Sequence, residues 1–500
     1  MTTLRFARGF VVDYARTSVN MLLLVVVPVV FVGVVANSLA NFAKLLGSGL
    51  HVETVTAGWA AALVAGNAMY FQIAATRDVD RRVVTTGFSA ARLVLARLLS
   101  GVALAVMASI AALVALAVRT GIGNPVRVVV GTMMFALIYI AVGAVVGSFV
   151  ANPVNGTVIV LFVWIVDVFF GPAMGAADRV ATRGFPTHFV TLWMVDVPSH
   201  HSGRIGDLGW ALGWTLAAAI AAWAVTASRT RTARPRVARV RQRRSSGGQL
   251  AAARRAAWRD ARRNPALWVL FIVVPVVFIL GAAAVTPDKP ITVALREHGH
   301  RITSEVRMPD VHGATMAPIA VAALAALVGL FTMLDSRDGD RRVTLAGLRS
   351  ASLLTARLGV LAAAAMAATG AALLTTAVVF DATNWPTYAA ANVLLALTYG
   401  LVGALLAPIF GRVGGVFVAF LLPFLDIGIV QSPMLHPDPT TLSRFLPGYG
   451  GSRVLLDGAL TVGFDETRAL FVGLSWLLVL GLAVCLTYRA STRGTLTRSR

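Results

Sequence analysis

Arg77-Asp78-Val79-Asp80-Arg81-Arg82-Val83 lies between two long apolar runs, and the chain repeats it as Arg337-Asp338-Gly339-Asp340-Arg341-Arg342-Val343. The likeness continues to Arg97 and to Arg357 without a gap, with 11 of 21 positions identical. A block of this length, recurring 260 residues later, is not a chance match. Whatever the segment touches, the protein touches it twice, from two related halves.

The sequence around the block is that of a membrane protein. Of its 500 residues 57% are apolar and 13% charged, and the mean hydropathy is +0.77. Twelve apolar runs of about 20 residues recur, each long enough to cross a bilayer as a helix. The expected fold class is therefore all-α, with twelve transmembrane helices. The single cysteine, Cys485, lies inside an apolar run, which excludes a disulfide framework and a cysteine-based metal site.

A formal net charge of +22 could suggest nucleic acid. A basic nucleic-acid binder, however, concentrates charge on a soluble face, whereas here the charge lies between apolar runs. With the N-terminus cytoplasmic, the cytoplasmic segments hold 31 of the 42 arginines and all eight histidines fall outside. The positive-inside rule then places both termini in the cytoplasm, with membrane lipid rather than nucleic acid as the partner of the basic excess. Residues 1–19 are polar and Arg-bearing, with no convincing cleavage site after the first run, so a removed signal peptide is not expected.

Taken in order, residues 4–19 mix Arg8, Asp13 and Arg16 with Phe6, Phe10 and Tyr14 and read as an amphipathic interfacial helix. Six spans follow, near 20–38, 57–76, 98–118, 128–149, 154–171 and 208–227. Residues 228–249 form an Arg-rich linker that ends in the flexible Ser245-Ser246-Gly247-Gly248. The expected division is 1–227, a linker at 228–249, and a second six-span half at 250–500. Arg8, Asp13, Arg16 and the run Val26–Phe31 match Arg255, Asp260, Arg263 and Val273–Phe278. Tyr139, Gly143 and Asp167 match Tyr399, Gly403 and Asp426. Six spans is an even number, so the two halves keep one orientation as parallel repeats about an axis along the membrane normal. The segment near 287–313, after span seven, is some 13 residues longer than its counterpart.

Catalytic motifs are absent. The only lysines, Lys44 and Lys289, follow no phosphate-loop pattern, and there is no H-E-x-x-H, G-x-S-x-G or Cys/His zinc cluster. The histidines lack ligand spacing and read as surface residues, so no metal is expected. The duplicated charged segment is the strongest signal, because a plain turn needs only a few residues. Leu93, Val94 and Leu98, with Leu353, Leu354 and Leu358, fall at helical spacing and suggest a short surface helix ahead of spans three and nine. Such a pair suits docking to a two-fold partner, with Arg77, Asp78, Asp80, Arg81 and Arg82 in one copy and Arg337, Asp338, Asp340, Arg341 and Arg342 in the other.

Two further sets carry two readings each. Asp167 and Asp426 are carboxylates within apolar runs, either functional groups or hydrated acids at helix ends. Phe162, Trp164 and Phe170, with Phe417, Phe420 and Phe424, either line a hydrophobic substrate path or simply pack.

The six-span unit has an amphipathic helix before its first span, a charged turn between spans two and three, and a proline-bearing excursion after span five. In this it resembles the membrane subunit of an ABC exporter, of the type-2 ABC permease class. The likeness covers essentially the whole chain as two fused copies. It implies that residues 77–97 and 337–357 are similar to coupling helices, residues 4–19 and 250–264 to elbow helices, and Pro186 and Pro447 to the proline after span five. It further implies two separate ATPase subunits that carry the ATP and magnesium, no enzymatic activity on this chain, and export of amphipathic drugs, antibiotics or lipids across the bacterial cell membrane. Where the family often has an Arg-Glu pair, this chain has Arg77-Asp78 and Arg337-Asp338. The alternative is a proton-coupled exporter of the major facilitator type, whose loop signature Asp80-Arg81-Arg82 faintly echoes. The glycines of that signature are missing and the segment is too long for it.

Overall fold

In a computed structural model the chain divides into two compact units, Met1–Val237 and Ala238–Arg500. The described residues are 2–174, 180–197, 199, 201–232, 248–262, 264–345 and 347–493. Most of the Arg-rich linker, His200 and the side chains of Asp260, Arg263 and Asp338 lie outside them.

Unit 1 begins with α1 (Thr2–Ala15). Then α2 (Ser18–Val30) passes through a π-helical turn, Phe31–Val35, into α3 (Ala36–Leu45). Pro28, which offers no N–H to the helical ladder, sits just ahead of that irregular turn. There follow α4 (Glu53–Thr85), α5 (Ala90–Thr120), α6 (Pro125–Phe149), α7 (Pro153–Phe170), the short α8 (His188–Met194) and α9 (Gly206–Thr232). Unit 2 contains α10 (Gln249–Arg262), α11 (Pro265–Val285), strands β1 (Pro290–Glu297) and β2 (His300–Arg307), and α12 (Met308–Leu345). It continues with α13 (Ser350–Val379), α14 (Trp385–Pro423) with a π-helical extension Phe424–Val430, α15 (Gly448–Leu460) and α16 (Thr467–Arg493).

Four of the apolar helices share a start signal. Asn124, Asn152, Asn264 and Asn384 precede α6, α7, α11 and α14, and each side chain accepts a backbone N–H of the first turn. A proline in that first turn lacks the N–H that would otherwise go unpaired.

Among the described residues ten helices are long and apolar enough to cross a membrane, against the twelve runs expected. Two features account for the difference. α4 is not among the ten, since Asn67, Tyr70 and Gln72 dilute its apolar stretch, although most of that stretch is buried. Trp385–Val430 counts once, yet Gly411 inside it has φ +65 and ψ −157. The chain turns back there, because Tyr399 before the break hydrogen-bonds Asp426 after it. With α4 and the two arms of this broken helix counted separately, all twelve runs are helical.

Glycine sets the closest packing in each unit. A Cβ on Gly143 of α6 would collide with the Gly66 carbonyl of α4. Gly403 of α14 stands in the same relation to the Ala326 carbonyl of α12. Backbone-to-backbone approach of this kind is how helices associate where lipid removes the hydrophobic drive.

Two expectations are corrected, and one segment left unassigned takes form. No separate surface helix follows the charged block. In unit 1 the block forms the last turns of α4, the chain turns at Thr86–Ser89 with Gly87 at φ +97, and residues 90–97 are already the start of α5. Unit 2 repeats this with α12, Gly347 at φ +94, and α13. The long segment after span seven is an antiparallel β-hairpin whose two-residue loop, His298-Gly299, has φ of 50 and 78, as a type I′ turn requires. The histidines are not all surface residues: His188 and His312 are fully buried.

Candidate functional site

The two charged hairpins are built around one recurrent contact. In unit 1, Asp80 lies on the inward face of α4, and Arg97 of α5 grips it with two hydrogen bonds, Nη2 to Oδ1 at 2.7 Å and Nε to Oδ2 at 3.2 Å. Both residues are buried, at 8% and 5% exposure, and Thr76 donates to the same carboxylate at 3.1 Å. In unit 2, Arg357 holds Asp340 in the same way, at 3.0 and 3.4 Å, and Tyr488 of α16 adds a bond at 3.0 Å. A bidentate Arg–carboxylate pair fixes orientation as well as distance. Each pair joins residues seventeen positions apart, so the two arms of the hairpin move as one piece.

From the sequence, Asp80 and Asp340 count among the docking residues; both instead face inward and pin the hairpin. The charges left on the surface are Asp78 and Arg82 in unit 1, and Arg337, Arg341 and Arg342 in unit 2. Arg77 is half-buried and donates to the Gly147 carbonyl, and Arg81 is half-buried and pairs with Asp78 at 3.3 Å.

The amphipathic helices clamp these turns. Phe6 of α1 packs on Phe88 with ring centroids 5.0 Å apart, and the Arg97 guanidinium lies 3.5 Å from the centre of the Phe10 ring. In unit 2, Gln249 of α10 accepts the Arg349 N–H at 3.1 Å and donates to the Gly347 carbonyl at 3.4 Å. Ala253 and Ala257 of α10 pack on Leu353 and Ala356. Beside the second hairpin lies a cavity of about 300 Å³ lined by Met333, Arg337, Asp340, Arg341, Pro408 and Tyr488, among others.

The two intramembrane acids are also built alike. Asp167 is buried, accepting from Tyr139 at 2.9 Å and from Thr187 at 2.7 Å. Asp426 is buried, accepting from Tyr399 at 2.6 Å, Gln431 at 3.1 Å and the Gly448 N–H at 2.8 Å. Thr187 and Gly448 immediately follow Pro186 and Pro447. The proline-bearing excursion thus returns to the acid at its own proline in both units, a link carried in sequence only by the shared spacing. Neither acid is a hydrated group at a helix end.

The aromatic residues mostly pack. Trp164 is buried, donates to the Trp59 carbonyl at 2.9 Å and meets Phe31 edge-on at 5.7 Å. Phe417, Phe420 and Phe424 are buried, the last two stacked at 6.4 Å. These four do not form an open wall in this state, whereas Phe162 and Phe170 are half-buried. Among the described residues no group of three or more His, Cys, Asp or Glu could hold a metal ion.

Residues 57–227, from within α4 to within α9, match the family described as ABC-2 family transporter protein. No curated protein matches the chain. The match covers about a third of the chain, and that stretch of unit 1 is similar to an ABC-2 family transporter protein.

Proposed function

We propose that this chain is the membrane-spanning subunit of an ATP-driven exporter, powered by two separate ATPase subunits that dock on the hairpins at 77–97 and 337–357. The observation that carries the reading is the pinned hairpin itself: a turn at the end of the long α4 and α12, locked by Asp80–Arg97 and Asp340–Arg357 and ringed by exposed arginines. A lever needs both a grip and stiffness. Closure of an ATPase pair would displace the two turns, and each displacement would pass rigidly into two helices at once. The second unit would be a diverged copy of the first in the same orientation, with both termini and the hairpins cytoplasmic. The cargo would be an amphipathic small molecule such as a drug, antibiotic or lipid, moved out across the bacterial cell membrane. ATP and magnesium would be held by the partner subunits.

The test is co-purification and transport-linked ATPase activity with Arg82→Glu and Arg342→Glu. Both side chains are exposed and outside the pinning contacts, so folding should be preserved. Capture of the ATPase should fall at least about tenfold, as expected for replacing attractive by repulsive rim charges. Unchanged capture and coupling would remove the docking reading.

A further inference from the structure

Unit 2 carries a second cleft far from its hairpin. The Met308 N–H donates to Lys289 at the foot of the β-hairpin, and α12 then runs from Met308 past Asp340. At 1.5 Å per residue those two positions are about 48 Å apart. At this far end β1, β2, residues 438–453 and the start of α16 enclose a cleft of about 600 Å³.

The walls of this cleft are of two kinds. Five arginines, Arg296, Arg301, Arg444, Arg453 and Arg468, face two carboxylates, Asp438 and Glu466. Arg301 is paired with Asp438, and Arg453 is held by Glu466 at 2.6 Å. Arg296 reaches only the Gly299 carbonyl, while Arg444 and Arg468 are exposed and have no ion pair among the described residues. Among the described residues three of the five arginines lining the cavity thus have no carboxylate partner. The rest of the lining is largely apolar and aromatic, with Phe445, Tyr449, Val472 and Trp476.

The cleft is built rather than incidental. Asp465 accepts the His298 and Gly299 N–H groups at 2.9 and 3.0 Å, fixing the tip of the hairpin. Arg453 donates to the Ala294 carbonyl at 2.9 Å, fixing its first strand. Arg468, Val472 and Trp476 are spaced four apart on α16, so they form one stripe that passes from charge to aromatic. Phe471, Leu474 and Leu478 on the same helix are exposed, so α16 carries apolar surface beside that stripe.

We infer that this cleft binds an anionic amphiphile, with a phosphate or carboxylate head on Arg444 and Arg468 and an apolar chain against Tyr449, Val472 and Trp476. Guanidinium groups suit such heads because their N–H fork matches two oxygens at once. The aromatic residues suit the boundary between head and chain. The inference stands on the cleft alone and does not require the transport reading.

Photolabelling of the full chain in phosphatidylcholine vesicles tests it. The probes are diazirine-bearing phosphatidylglycerol, a diazirine-bearing hexyl phosphate free in solution, and diazirine-bearing phosphatidylcholine. The anionic probes should label peptides containing Tyr449 or Trp476. Labelling should fall about tenfold in Arg444→Gln/Arg468→Gln, the scale of a lost charge-assisted contact. Labelling by phosphatidylglycerol alone assigns a bilayer lipid, and labelling by hexyl phosphate assigns a soluble amphiphile. Equal labelling by phosphatidylcholine, no labelling of these peptides by any probe, or no loss in a double variant with unchanged thermal stability overturns the inference.

Discussion

Tyr488, on the last helix of unit 2, donates its hydroxyl to Asp340 at 3.0 Å, the same carboxylate that Arg357 grips from α13. Among the described residues Asp80 has no such tyrosine; Thr76 bonds that acid and Phe10 covers its arginine. The carboxylate of the second hairpin thus takes its extra bond from the final helix of its unit, and that of the first from its own helix, α4. Tyr488→Phe should destabilise the chain by about 1.5–3 kcal/mol, the range for a hydrogen bond to a charged group. Thermal unfolding of the purified chain measures this, and a change within error would show that α16 is not tied to the hairpin.

The ion pairs themselves should behave as buried pairs do. Arg97→Met leaves the Asp80 charge buried without its partner and should cost about 3–5 kcal/mol. The double replacement Asp80→Leu/Arg97→Met removes the stranded charge and should recover most of that loss. A double-mutant cycle reads the difference. Additive effects would mean that the two side chains do not support each other.

This pairing also marks where legibility in the sequence ends. Long apolar runs announce helices because lipid leaves the backbone no other partner, so the helical class and the twelve runs could be read directly. Asp80 could not be placed, because it sits among Arg77, Arg81 and Arg82 and its true partner comes after a turn. Charge alone does not say which face of α4 a residue takes. The β-hairpin was hidden for another reason: its eight-residue strands, rich in Ile, Val and Thr, lie between much longer apolar helices. The aromatic residues of α7 and α14 were ambiguous because a packed ring and a path-lining ring are the same residue.

Glycine substitutions should divide by location. Gly143→Ala and Gly403→Ala place a methyl against the carbonyls of Gly66 and Ala326, and must push helices apart. Overpacking of this kind typically costs about 1–3 kcal/mol. Gly359 and Gly370 lie within α13 with nothing within 4 Å of an added Cβ, so Ala there should be neutral or stabilising by up to about 1 kcal/mol. Thermal stability of the four single variants decides it, and equal losses at all four would mean that close approach is not what the first pair provides.

The foot of the β-hairpin should respond to acid. Arg307 holds Asp288 by two bonds at 3.0 and 2.8 Å, and this contact lowers the Asp288 pKa. A lowered carboxylate contributes stability that is fully present above its unfolded value of about 3.9 and is lost as pH falls through the folded value. Both side chains are well exposed, so the effect is small and screened by salt. Protection of the amides across β1 and β2, relative to the intrinsic exchange rate at each pH, should therefore fall below about pH 4 at low salt, and Asp288→Asn should abolish that dependence. Persistence of the same acid response in the variant would assign it to another group.

Asp167 and Asp426 should differ in how much each depends on its tyrosine. Asp426 retains Gln431 and the Gly448 N–H when Tyr399 is replaced, whereas Asp167 retains only Thr187 among the hydrogen bonds described. Tyr139→Phe should accordingly cost more than Tyr399→Phe, with both within about 1.5–3 kcal/mol. Asp426→Asn should be costly for a different reason, because an amide has one acceptor oxygen to share among three donors and turns its own NH₂ toward the rest. If the acids only tie the proline-bearing segments down, transport should fall in step with stability across these variants. Loss of transport in Asp426→Asn at unchanged thermal stability would instead make the carboxylate itself part of the cargo path.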